Sequence, residues 1–374
     1  MSTVRRQRVL MTTDTVGGVW RYATSLAPAL GILGIEVYLV TLGRRMSSDQ
    51  RADIAGSGIR VIETDLALEW QDPDGRNVDQ ARRVLHAIAC DVEPDVVHLN
   101  SFREATFDWE APVLVVAHSC VGSWGLVCNE TGFLQEPQWL CYSALVTEGL
   151  RRAAAWVAPS SAFGEVVSRL YDPPHPGRLI WNGIVSPDDI PADKRMVVLA
   201  AGRMWDKAKN LRALVGVAAG GPCPIHVAGS GSDQDGLPRD LHALGELAHA
   251  ELQQWMSHAA IFVSPALYEP FGMSVLEAAA AGCALVLSDI PTFRELWQDA
   301  AVFVPPGDIG ALKSTLNWLI ADQTARSVLQ EAARQRSLRY SLRRTAKAYA
   351  DVYSELLATA SPDSHSNILA EAFA

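Results

Sequence analysis

Two glutamates eight residues apart, Glu269 and Glu277, enclose a short segment that could bind an anion. Pro270 and Gly272 lie between them, and because both residue types oppose a continuous helix, we expect Glu269 to lie in a loop. The residues that follow are good helix formers as far as Gly282, a residue type typical of the position just after a helix. A glycine loop therefore leads into a helix whose first N–H groups are available to an anion such as phosphate.

Carboxylates on either side of a phosphate pocket suit sugar hydroxyls better than they suit the phosphate itself. The pattern therefore favours a nucleotide sugar, with its phosphate at the helix start and its hydroxyls on the two glutamates. From the spacing alone, a capped surface helix with two solvated acids fits equally well.

A basic loop, residues 202–210, is the second candidate site. It follows an apolar run that reads as a strand, and it contains Arg203, Lys207 and Lys209. The guanidinium offers a planar fork of donors and each lysine a compact charge, which together suit a diphosphate. The chain has only five lysines, so two in one loop favour a binding role over a solvated turn. Either lysine could take that role, because the register within the loop is open.

Two features of the first half of the chain complete the candidate site. Gly17 and Gly18 follow the first predicted strand, and paired glycines allow a backbone to approach a ligand closely or simply to make a tight turn. His118 ends a later predicted strand, where it could hydrogen-bond a sugar hydroxyl or cap the strand. His98, on the preceding strand, has the same two readings.

The composition limits the classes of partner. The chain has 374 residues, 49% of them hydrophobic and 20% charged, which is typical of an ordinary two-domain globular protein. A net charge of −10 argues against a nucleic-acid partner and leaves room only for weak peripheral membrane contact. Six scattered cysteines favour reduced thiols, and no apolar run suits a signal peptide or a membrane span. We therefore expect a cytoplasmic protein. The sequence does not indicate its oligomeric state.

Short apolar runs alternate with helix-like segments, which favours an α/β fold with parallel sheets. Strands restart after a proline- and acid-rich stretch near residues 185–193. We therefore predict two Rossmann-like doubly wound domains that face each other across a cleft, where the ligand binds. The predicted divisions are 1–187, 188–338, a C-terminal helix 339–360 that could cross back to the first domain, and a flexible tail 361–374.

Taken together, these residues resemble the GT-B glycosyltransferases, specifically the large retaining family 4. Glu269 and Glu277 match that family's E-x7-E motif, with the usual Pro-Phe-Gly after the first glutamate. The basic loop resembles its G-R…K-(G/N) motif, with one extra residue between Arg203 and Lys209. The resemblance spans residues 8–355 and implies transfer of a sugar from a UDP-, GDP- or ADP-linked donor to a glycan, lipid or small-molecule acceptor.

The resemblance also implies roles for the candidate residues. Arg203 and Lys209 would bind the diphosphate, Glu277 the ribose and Glu269 the transferred sugar. His118 would contact that sugar from the N-terminal domain, which would also bind the acceptor. Gly17 and Gly18 would border the donor, and the catalytic set would be His118, Glu269, Arg203 and Lys209. The donor would further contact the residues between the glutamates: Phe271, Gly272, Met273 and Ser274.

The expected chemistry needs no metal or other cofactor, because the basic residues and the helix start can meet the charge of a leaving diphosphate. No carboxylate is an obvious covalent nucleophile, which favours a same-face displacement assisted by the leaving phosphate. Asp72 and Asp74 form a D-x-D pair that could instead hold a divalent metal. The alternative functions are a non-catalytic GT-B scaffold that binds a nucleotide or glycan, and a GT-B sugar-nucleotide epimerase. Both fit the charged residues less well.

Overall fold

The computed structural model describes residues 5–187, 194–218, 223–231 and 241–360. The linker residues 188–193, with the predicted start of the second domain, lie outside the described residues. The predicted flexible tail, 361–374, also lies outside them.

The first half of the described chain forms a parallel sheet of seven strands in the order β3-β2-β1-β4-β5-β6-β7. Its strands are β1 (Arg8–Asp14), β2 (Glu36–Leu42), β3 (Arg60–Glu63), β4 (Val96–Leu99), β5 (Val113–Val116), β6 (Ala155–Ala158) and β7 (Arg178–Leu179). The α-helices between them are α1 (Gly18–Ile32), α2 (Ser48–Ile54), α3 (Val78–Val92), α4 (Val121–Val127), α5 (Pro137–Arg152) and α6 (Ser161–Tyr171).

The second half forms another parallel sheet, with six strands in its described part and the order β10-β9-β8-β11-β12-β13. Its strands are β8 (Arg195–Ala201), β9 (Ile225–Ala228), β10 (Leu241–Gly245), β11 (Ala259–Ser264), β12 (Ala284–Ser288) and β13 (Val302–Val304). Its helices are α7 (Ala213–Ala218), α8 (His249–His258), α9 (Met273–Ala280), α10 (Pro291–Trp297), α11 (Ile309–Ala321), α12 (Gln323–Ser337) and α13 (Leu342–Ala360). Two doubly wound sheets confirm the predicted α/β class.

The central strands are buried on both faces. Every residue of β4 and of β12 is buried, because apolar clusters lie on each side of each sheet. A strand covered on both faces needs apolar side chains at nearly every position. Polar side chains therefore collect where the strands end, and the carboxyl ends of parallel strands share one edge of the sheet.

The last helix, α13, packs against the first sheet although it follows the second. Ala346, Tyr349 and Tyr353 are buried in the same apolar cluster as Val9 and Met11 of β1. Thr345 Oγ1 also donates to the carbonyl of Trp181 at 2.9 Å. The chain thus returns to the domain in which it began, so two separate connections join the halves. No helix within the described residues is both long and apolar enough to cross a membrane.

Candidate active site

Glu269 lies in the loop between β11 and α9, and Gly272 directly precedes that helix. Gly272 has φ = 91°, a conformation that side-chain-bearing residues rarely adopt. A Cβ there would also lie 3.1 Å from the ring of Phe293. Glycine therefore lets the chain turn into α9, whose first N–H groups have no partners within the helix.

Lys209 forms an ion pair with Glu269, with 2.6 Å between Nζ and Oε2. Lys207 instead reaches the first domain, where its Nζ lies 2.6 Å from Oε1 of Glu130. The structure thus brings Lys209, and not Lys207, to Glu269.

A capped 3₁₀ turn, Lys207–Lys209, sets the direction of the two lysines. Asp206 begins the turn, because its carboxylate accepts from the N–H of Ala208 at 3.0 Å. Asn210 ends it in the left-handed region, with φ = 52°, and donates from Nδ2 to the carbonyl of Pro265. Local hydrogen bonds therefore fix the register that the extra residue left open.

Arg203 lies where the two domains meet. Its Nη2 is 2.6 Å from Oδ2 of Asp206, and its guanidinium lies over the ring of Trp205. Its Nη1 would be 3.5 Å from a Cβ on Gly17, which belongs to the first domain. The Nε–H is buried and lacks a hydrogen-bond partner among the described residues, so the protein leaves one donor of this guanidinium unsatisfied.

Gly17 and Gly18 form the opposite side of this meeting point, at the start of α1. The N–H of Gly17 donates to Oδ1 of Asp14 at 3.0 Å, and burial raises the pKa of that carboxyl. Neither glycine has a positive φ, and a Cβ on Gly18 would meet nothing within 4 Å in the described chain. The fold itself therefore does not require glycine at position 18.

His118 follows β5, and Asn100 determines which ring nitrogen carries its proton. Asn100 Nδ2 donates to the carbonyl of Thr12 at 2.6 Å, so Asn100 Oδ1 is an acceptor. His118 Nε2 lies 2.8 Å from that oxygen and therefore donates to it. Burial lowers the pKa of His118 to about 3, so the imidazole is neutral and its Nδ1 can accept from a hydroxyl.

His98 has a different environment from His118. It is fully buried in β4, and its Nδ1 lies 2.6 Å from the hydroxyl of Tyr353 on α13. Burial lowers its pKa to about 3. His98 therefore joins α13 to the first sheet. Of the two readings that its sequence position allowed, this contact favours the structural one.

Glu277 lies on α9 with its carboxyl almost fully buried. Burial raises its pKa to about 7, against the opposing charge of Arg21 on α1. His249 Nε2 lies 3.9 Å away, but burial lowers the pKa of that histidine to about 4. The two groups thus form no ion pair at neutral pH, because the histidine is uncharged there.

Asp72 has a structural partner. Its Oδ2 lies 3.0 Å from Nη1 of Arg103, and both side chains are buried. The same oxygen accepts from the N–H of Asn77. In this structure the Asp72 carboxylate therefore balances a buried arginine.

The structure also reveals residues near the site that sequence reasoning missed. Tyr22 lies edge-on to the ring of His118, with centroids 4.5 Å apart. The charge of Arg21 lowers the pKa of Glu277, and His249 lies beside the same carboxyl. Asp206 forms an ion pair with Arg203. Only Asn100 left a sequence signal, because it is the polar residue that follows an apolar strand.

Both halves of the chain match families of known proteins. Residues 191–336 match the family described as Glycosyl transferases group 1, and residues 16–186 match the one described as Glycosyltransferase Family 4. A glycogen synthase of Mycobacterium tuberculosis is 26% identical in an alignment 385 positions long, gaps included, which covers 90% of this chain and 91% of that protein. The family matches and this relative therefore involve both domains.

Solved structures share the fold at low sequence identity. Sucrose-phosphate synthase from Thermosynechococcus elongatus superposes with a TM-score of 0.78 at 20% identity, covering 95% of this chain and all of that one. Anabaena HepE, in complex with UDP-glucose, superposes with a TM-score of 0.73 at 18% identity, covering 93% and 99%. With a family match on each domain and this shared architecture, the chain belongs to the GT-B glycosyltransferases of family 4.

Proposed function

We propose that the protein is a retaining glycosyltransferase that takes its sugar from a nucleotide diphosphate sugar without a metal ion. One observation carries this proposal: Arg203, the Lys209–Glu269 pair and the start of α9 form a continuous series of contacts beside Gly17. Lys209 packs on Gly202, with its Cγ 3.4 Å from a Cβ placed there, and Glu269 packs in the same way on Gly272. The cations, the sugar-binding acid and the helix start thus share one site.

The diphosphate would bind to Arg203, Lys209 and the first N–H groups of α9. Two cations and a helix start can stabilise the charge that the leaving phosphate gains as its bond to the sugar breaks. This set supplies positive charge from the protein itself, which supports a reaction independent of metal ions.

The sugar and the ribose would bind to the acids and to His118. Glu269 accepts from sugar hydroxyls, and Nδ1 of neutral His118 accepts from another. Glu277, one helical turn further along α9, accepts from the ribose hydroxyls. The two glutamates thereby bind the donor on opposite sides of its diphosphate.

Retention would follow from a same-face displacement. The bond between the anomeric carbon and the phosphate oxygen breaks, and the acceptor oxygen bonds to the same face of the sugar. The acceptor proton passes to the departing phosphate oxygen. Glu269 is already paired with Lys209 at 2.6 Å, which suits a binding carboxylate better than a covalent nucleophile.

The donor nucleotide is UDP, GDP or ADP, and the relatives point to glucose and to mannose alike, since one relative from Komagataeibacter xylinus is a mannosyltransferase that uses GDP-mannose. HepE was solved with UDP-glucose, and the Mycobacterium tuberculosis relative is a glycogen synthase. We assign the acceptor to the first domain and the donor mainly to the second, as the family resemblance implies.

A donor screen tests the proposed function. Thermal shifts with UDP, GDP and ADP should show one preferred nucleotide, because a ligand that binds only the folded state stabilises it. Release of that nucleotide from its sugar derivative should be unchanged by EDTA, and NMR of the product should show the donor's anomeric configuration. An inverted product would contradict retention, and EDTA inhibition would contradict metal independence. Nucleotide binding without turnover on any acceptor would favour a scaffold.

We expect Gly18→Ala to raise the KM for the donor by about tenfold or more without lowering the Tm. A Cβ at this position meets nothing within 4 Å in the described chain, so the added methyl group would contact only a bound ligand. Gly31→Ala is the matched control, because Gly31 lies at the far end of the same helix with equally open space. A KM that rises equally in both variants would contradict a donor contact at Gly18.

A further inference from the structure

The two domains are joined by hydrogen bonds that end beside the donor site. Trp124, on α4 of the first domain, donates from Nε1 to Oδ1 of Asp206 in the second domain at 3.1 Å. Asp206 is the residue that caps the 3₁₀ turn leading to Lys209. A first-domain side chain therefore contacts the loop that carries both donor-site cations.

Asp206 also holds Arg203 through its other oxygen. Nη2 of Arg203 lies 2.6 Å from Oδ2, while Oδ1 accepts from Trp124 and from the N–H of Ala208. Burial raises the pKa of Asp206, but the hydrogen bonds from Arg203 and Trp124 outweigh it and leave the pKa below its usual value. An ionised, nearly buried carboxylate is thus shared between the domains.

Arg203 depends on this carboxylate for its position. Its side chain is 38% exposed and otherwise lies over the flat ring of Trp205, which also faces solvent. A long, exposed side chain has many rotamers, and each unproductive rotamer weakens ligand binding. The hydrogen bond to Asp206 selects one of them.

Glu269 is held from the first domain in a similar way. The hydroxyl of Tyr268 lies 2.7 Å from Oγ of Ser123, which is on α4 beside Trp124. On the other side of Glu269, the carbonyl of Pro270 accepts from Ser160 Oγ at 2.7 Å. Both neighbours of the sugar-binding acid are therefore anchored on the first domain.

We propose that Asp206 is a positioning residue, which links the placement of Trp124 to the guanidinium of Arg203 so that docking of the domains completes the diphosphate site. The inference rests on the proposed function, because it assumes that Arg203 binds the donor. The Glu130–Lys207 pair also joins the domains, but it does not reach Arg203 and therefore provides a matched comparison.

A double-mutant cycle tests the link. Trp124→Phe keeps an aromatic side chain but removes the indole N–H, and it should lower kcat/KM for the donor by about tenfold, as loss of a hydrogen bond to a charged group does. In an Arg203→Ala background the same change should alter kcat/KM by less than about twofold, because Asp206 then has no guanidinium to position. Glu130→Gln should change kcat/KM by less than about twofold in either background.

Two further measurements keep the test decisive. Asp206→Asn should reproduce the loss seen in Trp124→Phe, and both should weaken binding of the nucleoside diphosphate that best stabilises the wild type. Equal effects of Trp124→Phe with and without Arg203 would overturn the role of Asp206 while leaving the function intact. A wild-type protein that neither binds a nucleotide nor transfers a sugar would instead overturn the proposed function.

Discussion

Replacing Lys209 with alanine is expected to lower kcat/KM for sugar transfer by about 100- to 1,000-fold, the usual cost of removing one preorganised charge from a transition state. The Nζ group lies 2.6 Å from Oε2 of Glu269, so in the proposed mechanism the lysine would serve both the leaving phosphate and the acid that holds the sugar. Its loss would also leave the partly buried Glu269 carboxylate without this partner. Initial rates with the preferred donor would measure the effect.

Lys207→Ala is the control for this prediction, because it removes the same charge from the same loop. Lys207 is half exposed and pairs with an equally exposed Glu130, a type of ion pair that contributes little. We expect its rate to stay within about twofold of the wild type. A similar loss in both variants would mean that the net charge of the loop matters, and not the position of Lys209.

The sequence alone could not decide which of these two lysines lies at the candidate site. The strand end, the glycine and the basic residues predicted a diphosphate loop, but one extra residue left its register open. The structure settles the direction of each lysine through the cap at Asp206 and the left-handed residue Asn210. Such capping depends on which side-chain oxygen meets which N–H, and residue spacing does not reveal it.

The two histidines illustrate a second limit. His98 and His118 both lie at or near the ends of apolar strands, and the sequence offers the same readings for each. They differ only because α13 returns to the first sheet and covers His98 with Tyr353, a residue 255 positions away. The fold class followed from alternating strands and helices, whereas contacts of such long range became visible only in three dimensions.

Glu277→Gln is expected to stabilise the protein above pH 7 and to weaken donor binding. The pKa of Glu277 lies at about 7, above its ordinary value of 4.5, because the carboxyl is buried. Between those values the folded state binds more protons than the unfolded state, so the free energy of unfolding falls as pH rises. Above pH 7 the buried charge costs as much as about 3 kcal/mol, which the glutamine removes.

The change in stability is measured by the Tm at two pH values, and the change in donor binding by the KM. At pH 8 the Tm of Glu277→Gln should exceed that of the wild type by several degrees, and near pH 5 most of this difference should be gone, since the wild-type carboxyl is then neutral in the fold. The donor KM should rise at pH 8 by about tenfold, because an amide cannot accept from both ribose hydroxyls as a carboxylate can.

Glu269→Gln is the matched control, because its carboxylate is already paired with Lys209 and its replacement leaves that cation without the pair. It should not raise the Tm at pH 8. A gain of equal size at pH 5 and pH 8 in Glu277→Gln would show that its effect does not come from the buried charge. If the gain is confined to high pH while donor binding falls, then α9 keeps an ionisable acid that the fold alone would be more stable without. That combination is expected of a residue retained for the nucleotide and not for folding.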